Sequence, residues 1–148
     1  MNKLDSNVIV QIGIIVTDIE QKARNYAEIF GIPVPKVVTI ADEPISNTQY
    51  RGKPSSATGK AAFFDLGAIQ MELIEPVGGP STWEEFLRTH GEGLHHIALR
   101  TENMAEAVQL LESKGLEAVQ SGAWDGGQYT YIEGTKQLGT ILELLHND

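Results

Sequence analysis

The sequence contains no cysteine among its 148 residues. This excludes disulfide bonds, thiolate metal sites, cysteine nucleophiles and iron–sulfur clusters. Long apolar runs are absent as well, since no stretch approaches the roughly 20 residues that span a bilayer. The first residues, MNKLDSNVIV, lack the apolar stretch of a signal peptide. We therefore expect a cytoplasmic protein with no membrane partner.

Basic residues are scarce, because 11 Lys and Arg accompany 20 Asp and Glu, for a net charge of −9. Phosphate backbones attract Lys and Arg, so this balance argues against nucleic acid as a partner. A chain of this length buries roughly 70% of its unfolded surface. That is enough for one core, and we expect a single domain over residues 1–148.

Strands and helices can be assigned to the first half from its hydrophobic pattern. Val8–Val16 is almost continuously apolar and β-branched, which is typical of a strand buried on both faces. Residues 19–30 have helical periodicity and are followed by Gly31, which ends the helix. Thr17 and Glu20 have capping-box spacing at the start of this segment. Residues 42–60 are polar and indicate a long loop. Further strands are predicted at Lys36–Ile40, Ala61–Leu66 and Ile69–Ile74.

The second half repeats this order after a connecting helix at Ser81–His90, where Ser81 and Glu84 have capping-box spacing. Asn103 and Glu106 have capping-like spacing before an amphipathic helix that Gly115 ends. Strands are predicted at Leu94–Arg100, Glu117–Val119, Tyr129–Ile132 and Thr140–Leu145. We interpret the pattern as a βαβββ module used twice, at about 7–76 and 93–146, with the connecting helix at 81–90.

The repeat draws attention to four polar residues within apolar strands. Gln11 and His96 occupy equivalent places in the two first strands, and Glu72 and Glu143 occupy equivalent places in the two last strands. Burying two carboxylates is costly unless they find a cation. A divalent metal bound by both carboxylates, an imidazole and an amide oxygen would satisfy them, and this ligand set suits Zn, Ni, Co or Mn. Each residue taken singly also fits a solvated strand face or a hydrogen-bonded core position.

Strand alternation alone does not decide whether His95 or His96 is the metal ligand. His96 shares a face with Leu94 and Ala98, and alternation predicts His95 on the opposite face. The match to Gln11 in the repeat favours His96 as the ligand.

At these residues the chain resembles the vicinal oxygen chelate superfamily, which includes glyoxalase I, methylmalonyl-CoA epimerase, extradiol dioxygenases and drug-binding resistance proteins. The resemblance extends from about Val8 to Leu145 and is strongest in MELIEP, GEGLHHIAL and ILELL. It implies an α+β fold in which two βαβββ modules form a curved mixed sheet around a cleft, with helices on the outside. It also implies a homodimer. The family's metal ligands correspond to Gln11, Glu72, His96 and Glu143.

GEGLHHIA and ELIEP most resemble methylmalonyl-CoA epimerase, although that enzyme usually has His at the place of Gln11. The resemblance implies a metal-dependent isomerase or epimerase acting on an acyl thioester or related carbonyl compound. Two substrate oxygens would chelate the metal, an enolate would be stabilised, and Glu143 would handle the proton. An epimerase needs a second acid near Ala61 and Ala62, where Asp65, Glu75 and Tyr50 are the stand-ins.

Two alternatives stay open. The ligand set Gln, Glu, His, Glu is similar to one branch of glyoxalase I, a lactoylglutathione lyase, although Ile15 and Glu92 stand where that enzyme has arginines. The other alternative is a metal-free module that binds a small molecule, as resistance members of the superfamily do.

Aromatic and basic residues outside the strands suggest further contacts. Tyr50, Arg51 and Lys53 fit either a lid that meets a phosphate group or a solvated loop. Trp124 fits either the cleft mouth or a packed hairpin. Trp83 and Phe86, three residues apart, are predicted to pack the connecting helix onto the sheet.

Overall fold

A computed structural model describes residues 2–148 as one ten-stranded sheet with four α-helices and a short 3-10 turn at Pro44–Ser46. The strands are β1 Gln11–Ile15, β2 Val38–Ile40, β3 Gln49–Tyr50, β4 Lys53–Pro54, β5 Thr58–Asp65, β6 Gln70–Gly78, β7 Gly93–Arg100, β8 Ala118–Trp124, β9 Gly127–Ile132 and β10 Ile141–Asn147. The helices are α1 Ile19–Phe30, α2 Thr82–His90, α3 Met104–Ser113 and α4 Thr135–Leu138.

The sheet is mixed, and its strand order is β2-β5-β6-β1-β7-β10-β9-β8-β3-β4. Strand β1 runs parallel to β6, and β10 runs parallel to β7, while the pair β1–β7 that joins the two halves is antiparallel. The sheet curls into a half-barrel, which confirms the predicted α+β architecture. Because β1 and β7 belong to one chain, the two halves form a continuous sheet without a second subunit.

Each half packs its own helix on the sheet. Helix α1 contributes Ile19, Ala23 and Ala27 to one buried cluster, and α3 contributes Ala107 and Leu111 to a second one. A third cluster lies where α2 meets the sheet and includes Ile15, Ile74, Trp83, Val119, Tyr131 and Ile141. These helices pack against the central strands β6, β1, β7 and β10.

The N-terminal caps predicted for α2 and α3 are confirmed, whereas the one predicted for α1 is not. Ser81 caps α2 through Glu84 N, and Asn103 caps α3 through Glu106 N, as their spacing predicts. The prediction of Thr17 as the cap of α1 is wrong, since Asp18 accepts from Gln21 N. Thr17 N instead donates to the Glu92 carboxylate at 2.8 Å.

The predicted loop at 42–60 contains more regular structure than its composition indicates. It forms the 3-10 turn, the short strands β3 and β4, and the beginning of β5. Strand β3 pairs with β8 of the second half, with Gln49 opposite Ser121 and Tyr50 opposite Gln120. A segment of the first half therefore extends the edge of the second half.

None of the helices formed by residues 2–148 has the length and apolar character needed to cross a membrane.

Candidate active site

The four residues singled out by the repeat lie on four neighbouring strands at the centre of the sheet. Gln11 is on β1, Glu72 on β6, His96 on β7 and Glu143 on β10. In register, Gly13 of β1 stands between Glu72 and His96, and Ala98 stands between Gln11 and Glu143. All four side chains belong to residues that are less than 9% exposed.

Their side chains converge on Nε2 of His96. Gln11 Oε1 lies 2.9 Å from this nitrogen, Glu143 Oε1 lies 3.2 Å from it, and Glu72 Oε1 lies 3.7 Å from it. Gln11 is oriented by its own amide, because Nε2 donates to Gln70 Oε1 at 2.7 Å. The structure therefore brings together the four residues predicted from the sequence, within a single chain.

The His96 ring occupies space that only glycine leaves open on β1. A Cβ atom on Gly13 would lie 2.0 Å from His96 Cε1 and 2.4 Å from Nδ1. Gly13 shares the inner face of β1 with Gln11, since residues two apart in a strand point the same way. The sequence analysis did not assign Gly13 to the site, although a glycine inside an apolar strand can signal close approach of another group.

Strand alternation was wrong about His95. The pairing of β1 with β7 shifts register between Gly13 and Ile14, so that Gly13 faces His96 while Ile14 faces Leu94. This irregularity leaves His95 without a partner on β1 and re-aims its side chain. The rings of His95 and His96 therefore both contact Tyr131, at centroid distances of 5.1 and 5.2 Å.

The electrostatics of the site are dominated by burial. Burial raises the pKa of Glu72 to about 8, and the neighbouring Glu143 adds to this, although His96 opposes it. Burial alone would lower the pKa of His96, but the Glu143 and Glu72 carboxylates outweigh it and raise that pKa. Burial and the nearby charge of His96 lower the pKa of His95 well below its usual value, so His95 is a neutral imidazole.

The donor set fits a divalent metal in type and largely in spacing. Ligand atoms about 2.1 Å from a metal lie roughly 3.0–3.4 Å apart in octahedral or tetrahedral arrangements. The contacts of Gln11 and Glu143 to His96 Nε2 are close to this range, whereas Glu72 lies somewhat beyond it. Accordingly, no three His, Asp or Glu side chains within residues 2–148 are already arranged as a metal-binding group. Glu143 Oε1 is buried and makes no directional hydrogen bond, which leaves it available to a cation.

A cavity of about 510 Å³ opens above these residues. Gln11, Glu72 and Glu143 form part of its wall, and aromatic rings form much of the rest: Phe63, Trp83, Trp124, Tyr129 and Tyr131. Arg100 is the basic residue in the lining, and Glu43 is a further acidic one. The cavity thus joins a polar base to largely apolar walls, as small-molecule sites do.

Two of the three residues suggested as a lid, Tyr50 and Arg51, are tethered to Glu85. Tyr50 OH donates to Glu85 Oε2 at 2.6 Å, and Arg51 donates to both Glu85 oxygens at 2.9 and 3.1 Å. Neither residue lines the cavity, whereas Trp124 does. Trp83 is 2% exposed and its Nε1 donates to Tyr131 OH at 3.0 Å, so α2 is packed on the sheet as predicted.

The stand-ins for a second acid lie elsewhere. Asp65 accepts from Gly67 N, and Glu75 accepts from Ile19 N at the start of α1. Ala61 and Ala62 are completely buried. Glu43 is the additional carboxylate that lines the cavity, and the sequence analysis missed it because it lies in the polar segment between β2 and β3.

Known proteins resemble this chain in sequence. A family model described as the glyoxalase/bleomycin resistance protein/dioxygenase superfamily matches residues 10–132. The uncharacterized protein YqjC of Bacillus subtilis is 28% identical over 97% of this chain and 91% of that protein. The mitochondrial methylmalonyl-CoA epimerase of Mus musculus is 26% identical over 88% of this chain and 67% of that protein.

Solved structures share the fold. A variant of the Streptomyces coelicolor methylmalonyl-CoA epimerase, in complex with 2-nitronate-propionyl-CoA, superimposes with a TM-score of 0.63 at 20% identity. The match covers 95% of this chain and 97% of that chain.

Proposed function

The chain belongs to the glyoxalase/bleomycin resistance protein/dioxygenase superfamily, and from this premise we propose that it is a metal-dependent isomerase or epimerase. Its substrate would be an acyl thioester or a related 2-substituted carbonyl compound. The observation that carries the proposal is the convergence of Gln11, Glu72 and Glu143 on His96 Nε2 at the base of one cavity.

Gln11, Glu72, His96 and Glu143 would bind the metal, which we expect to be Zn, Ni, Co or Mn. Two carboxylates, one imidazole and one amide oxygen match the preferences of these ions. Without a cation, two carboxylates would share a buried pocket with one imidazole, and the raised pKa of Glu72 expresses that cost. Bound in this place, the ion would act as a Lewis acid toward substrate oxygens.

Glu143 is the residue that we assign to proton transfer. Glu143 lines the cavity, and its buried Oε1 lies 3.2 Å from His96 Nε2. It would take the proton from the carbon next to the substrate carbonyl. In an epimerase, a second acid must return a proton on the opposite face, and Glu43 is the cavity carboxylate available for this step.

Similarity to methylmalonyl-CoA epimerases supports an acyl-CoA as the first substrate to test. The cavity would accommodate the acyl end among the aromatic walls, and the longer CoA portion would extend outside it. By the same resemblance, we propose that the protein is cytoplasmic and forms a homodimer. Light scattering of the purified chain would test the dimer.

A glyoxalase-I-type lyase is the second candidate, and one observation favours it. Such a reaction moves a proton between neighbouring carbons on one face of the substrate and needs no second carboxylate. Ala61 and Ala62 fill the place where the second acid of an epimerase is expected. Against it, Ile15 and Glu92 stand where that enzyme has arginines, and neither carries a positive charge. Ile15 is fully buried, and Glu92 pairs with Lys22 at 2.9 Å.

Metal content tests the shared premise of both enzymes. We expect one divalent ion per wild-type chain by elemental analysis, and a reduction of at least tenfold in metal affinity in Glu143→Gln. Glu117→Gln is the matched control, because Glu117 is exposed and does not line the cavity. A wild-type chain that carries no metal, yet binds small molecules, would point to a metal-free binding module.

Exchange of the substrate proton separates the two enzymes. In D₂O with methylmalonyl-CoA, an epimerase incorporates deuterium at the α-carbon, and Glu143→Gln loses this exchange. No exchange, together with turnover of a thiol–methylglyoxal adduct, would establish the lyase instead.

A further inference from the structure

His95 makes polar contacts at both ring nitrogens although it does not line the cavity. Its Nδ1 lies 2.8 Å from Nδ1 of His96, and its Nε2 lies 3.2 Å from Oγ1 of Thr82. The side chain is 1% exposed. A buried ring with both nitrogens engaged is fixed in orientation, and its two contacts form a chain from Thr82 to His96.

The chain of contacts has one proton arrangement that allows His96 to bind a metal. His96 Nε2 must then be unprotonated, and a neutral imidazole carries its one proton on the other nitrogen, Nδ1. The group within reach of that proton is Nδ1 of His95, which must therefore be an acceptor. His95 then carries its own proton on Nε2 and donates it to the hydroxyl of Thr82.

We propose that His95 is a positioning residue that accepts the Nδ1 proton of His96 and holds Nε2 of His96 free toward Gln11 and Glu143. The inference rests on the proposed metal site and extends it to the layer behind the ligands. Second-layer acceptors of this kind fix the tautomer and the ring orientation of metal-binding histidines. Here the acceptor is the preceding residue, which the irregular register of β7 makes possible.

The surroundings of His95 hold it rigidly in this role. Its ring packs edge-on against Phe86 at 5.4 Å and against Tyr131 at 5.1 Å. Thr82 is the first residue of α2, and its backbone N donates to Gln120 Oε1 at 2.8 Å. Thr82 is thus anchored to Gln120 of β8, and the His95 ring is held between Phe86 and Tyr131.

Two substitutions separate this role from packing. His95→Phe keeps an aromatic ring among Phe86 and Tyr131 but removes the acceptor. His95→Asn loses ring packing but retains an acceptor oxygen near the place of Nδ1. We expect His95→Phe to weaken Zn²⁺ binding by about 10- to 100-fold and His95→Asn to recover most of that loss. Thr82→Val, which removes the far acceptor, should weaken binding by a smaller factor.

The measurement is competition for Zn²⁺ against a chromophoric chelator, with thermal unfolding of each metal-free variant as the check on folding. A purely structural role predicts the reverse order, in which His95→Asn binds Zn²⁺ more weakly than His95→Phe. That result would overturn the inference. In the Zn²⁺-loaded wild-type chain, ¹⁵N NMR should show the proton of His95 on Nε2, and a proton on Nδ1 would also overturn it. If the wild-type chain takes up no divalent ion, the proposed function fails and the inference with it. If the wild type binds Zn²⁺ and His95→Phe binds it equally well, only the inference fails.

Discussion

Gly13 shows how a residue without a side chain helps to shape the candidate site. The ring of His96 lies directly over it, where a Cβ atom would come within 2.0 Å of the ring. Because both groups belong to the two strands that join the halves, neither backbone is free to retreat. The position therefore tolerates no side chain while His96 stays in place.

We predict that Gly13→Ala displaces the His96 ring, weakens metal binding by more than tenfold and lowers the free energy of unfolding by about 1–3 kcal/mol. Equilibrium denaturation and chelator competition measure the two effects. Gly78→Ala, in β6, is the matched control, since its nearest contact would be an ordinary 3.7 Å to Thr58 Oγ1. Unchanged metal affinity in Gly13→Ala would show that the ring is not held in this position.

Individual site residues can be predicted from the sequence where a polar residue interrupts an apolar strand. Gln11, Glu72, His96 and Glu143 could be selected because each is a polar residue at repeat-equivalent places. His95 could not be placed, since alternation assumes a regular ladder and the register of β7 shifts beside it. Glu43 was missed because its approach to the cavity depends on the path of the segment between β2 and β3, which no local pattern encodes.

Among the elements, the hairpin β3–β4 pairs with β8 and is tied to α2 through one carboxylate. Glu85 of α2 accepts from both Tyr50 and Arg51. We predict that Glu85→Gln accelerates amide hydrogen exchange in residues 41–57, because the hairpin loses its charged acceptor. Global stability should fall by less than about 1 kcal/mol, as is usual for partly exposed ion pairs.

Glu84→Gln is the control for this prediction. Glu84 neighbours Glu85 in the sequence, but its ion pair with Arg88 lies within α2 and does not reach the hairpin. Equal exchange rates for residues 41–57 in both variants would contradict the tether.

The remaining elements differ in how much of their stability is local. Helices α1 and α3 could be predicted because their apolar faces and their ends are encoded within about a dozen residues. Strands β3 and β4 could not, because they are only two residues long and depend on pairing with β8, far away in the sequence. The left-handed conformation of Asp18, with φ 47, likewise moved the cap of α1 one residue from the predicted position.

Across the whole molecule, Glu92 links the beginning of β7 to the first half. Its carboxylate pairs with Lys22 and accepts from Thr17 N. These hydrogen bonds, first that of Lys22 and then that of Thr17, hold the pKa of Glu92 below its usual value of 4.5. A carboxyl group whose pKa is lower in the folded chain stabilises the fold above its unfolded pKa and loses this contribution on acidification.

We therefore predict that the wild type unfolds at a higher temperature than Glu92→Gln at pH 7. The difference should shrink as the pH falls below about 4.5 through the folded pKa of Glu92. The effect is modest because the pair is exposed. A difference that stays constant or grows with acid would show that Glu92 acts through something other than its charge.

Across the whole molecule, the proposed metal site requires residues from both halves of the sheet to bind one cation. Anomalous X-ray diffraction from crystals of the Zn²⁺-loaded chain, recorded on both sides of the zinc absorption edge, tests this most directly. We predict one anomalous peak per chain, within bonding distance of Gln11 Oε1, His96 Nε2 and the carboxylates of Glu72 and Glu143. A peak bound by residues of only one half, or no peak at this position, would contradict the account.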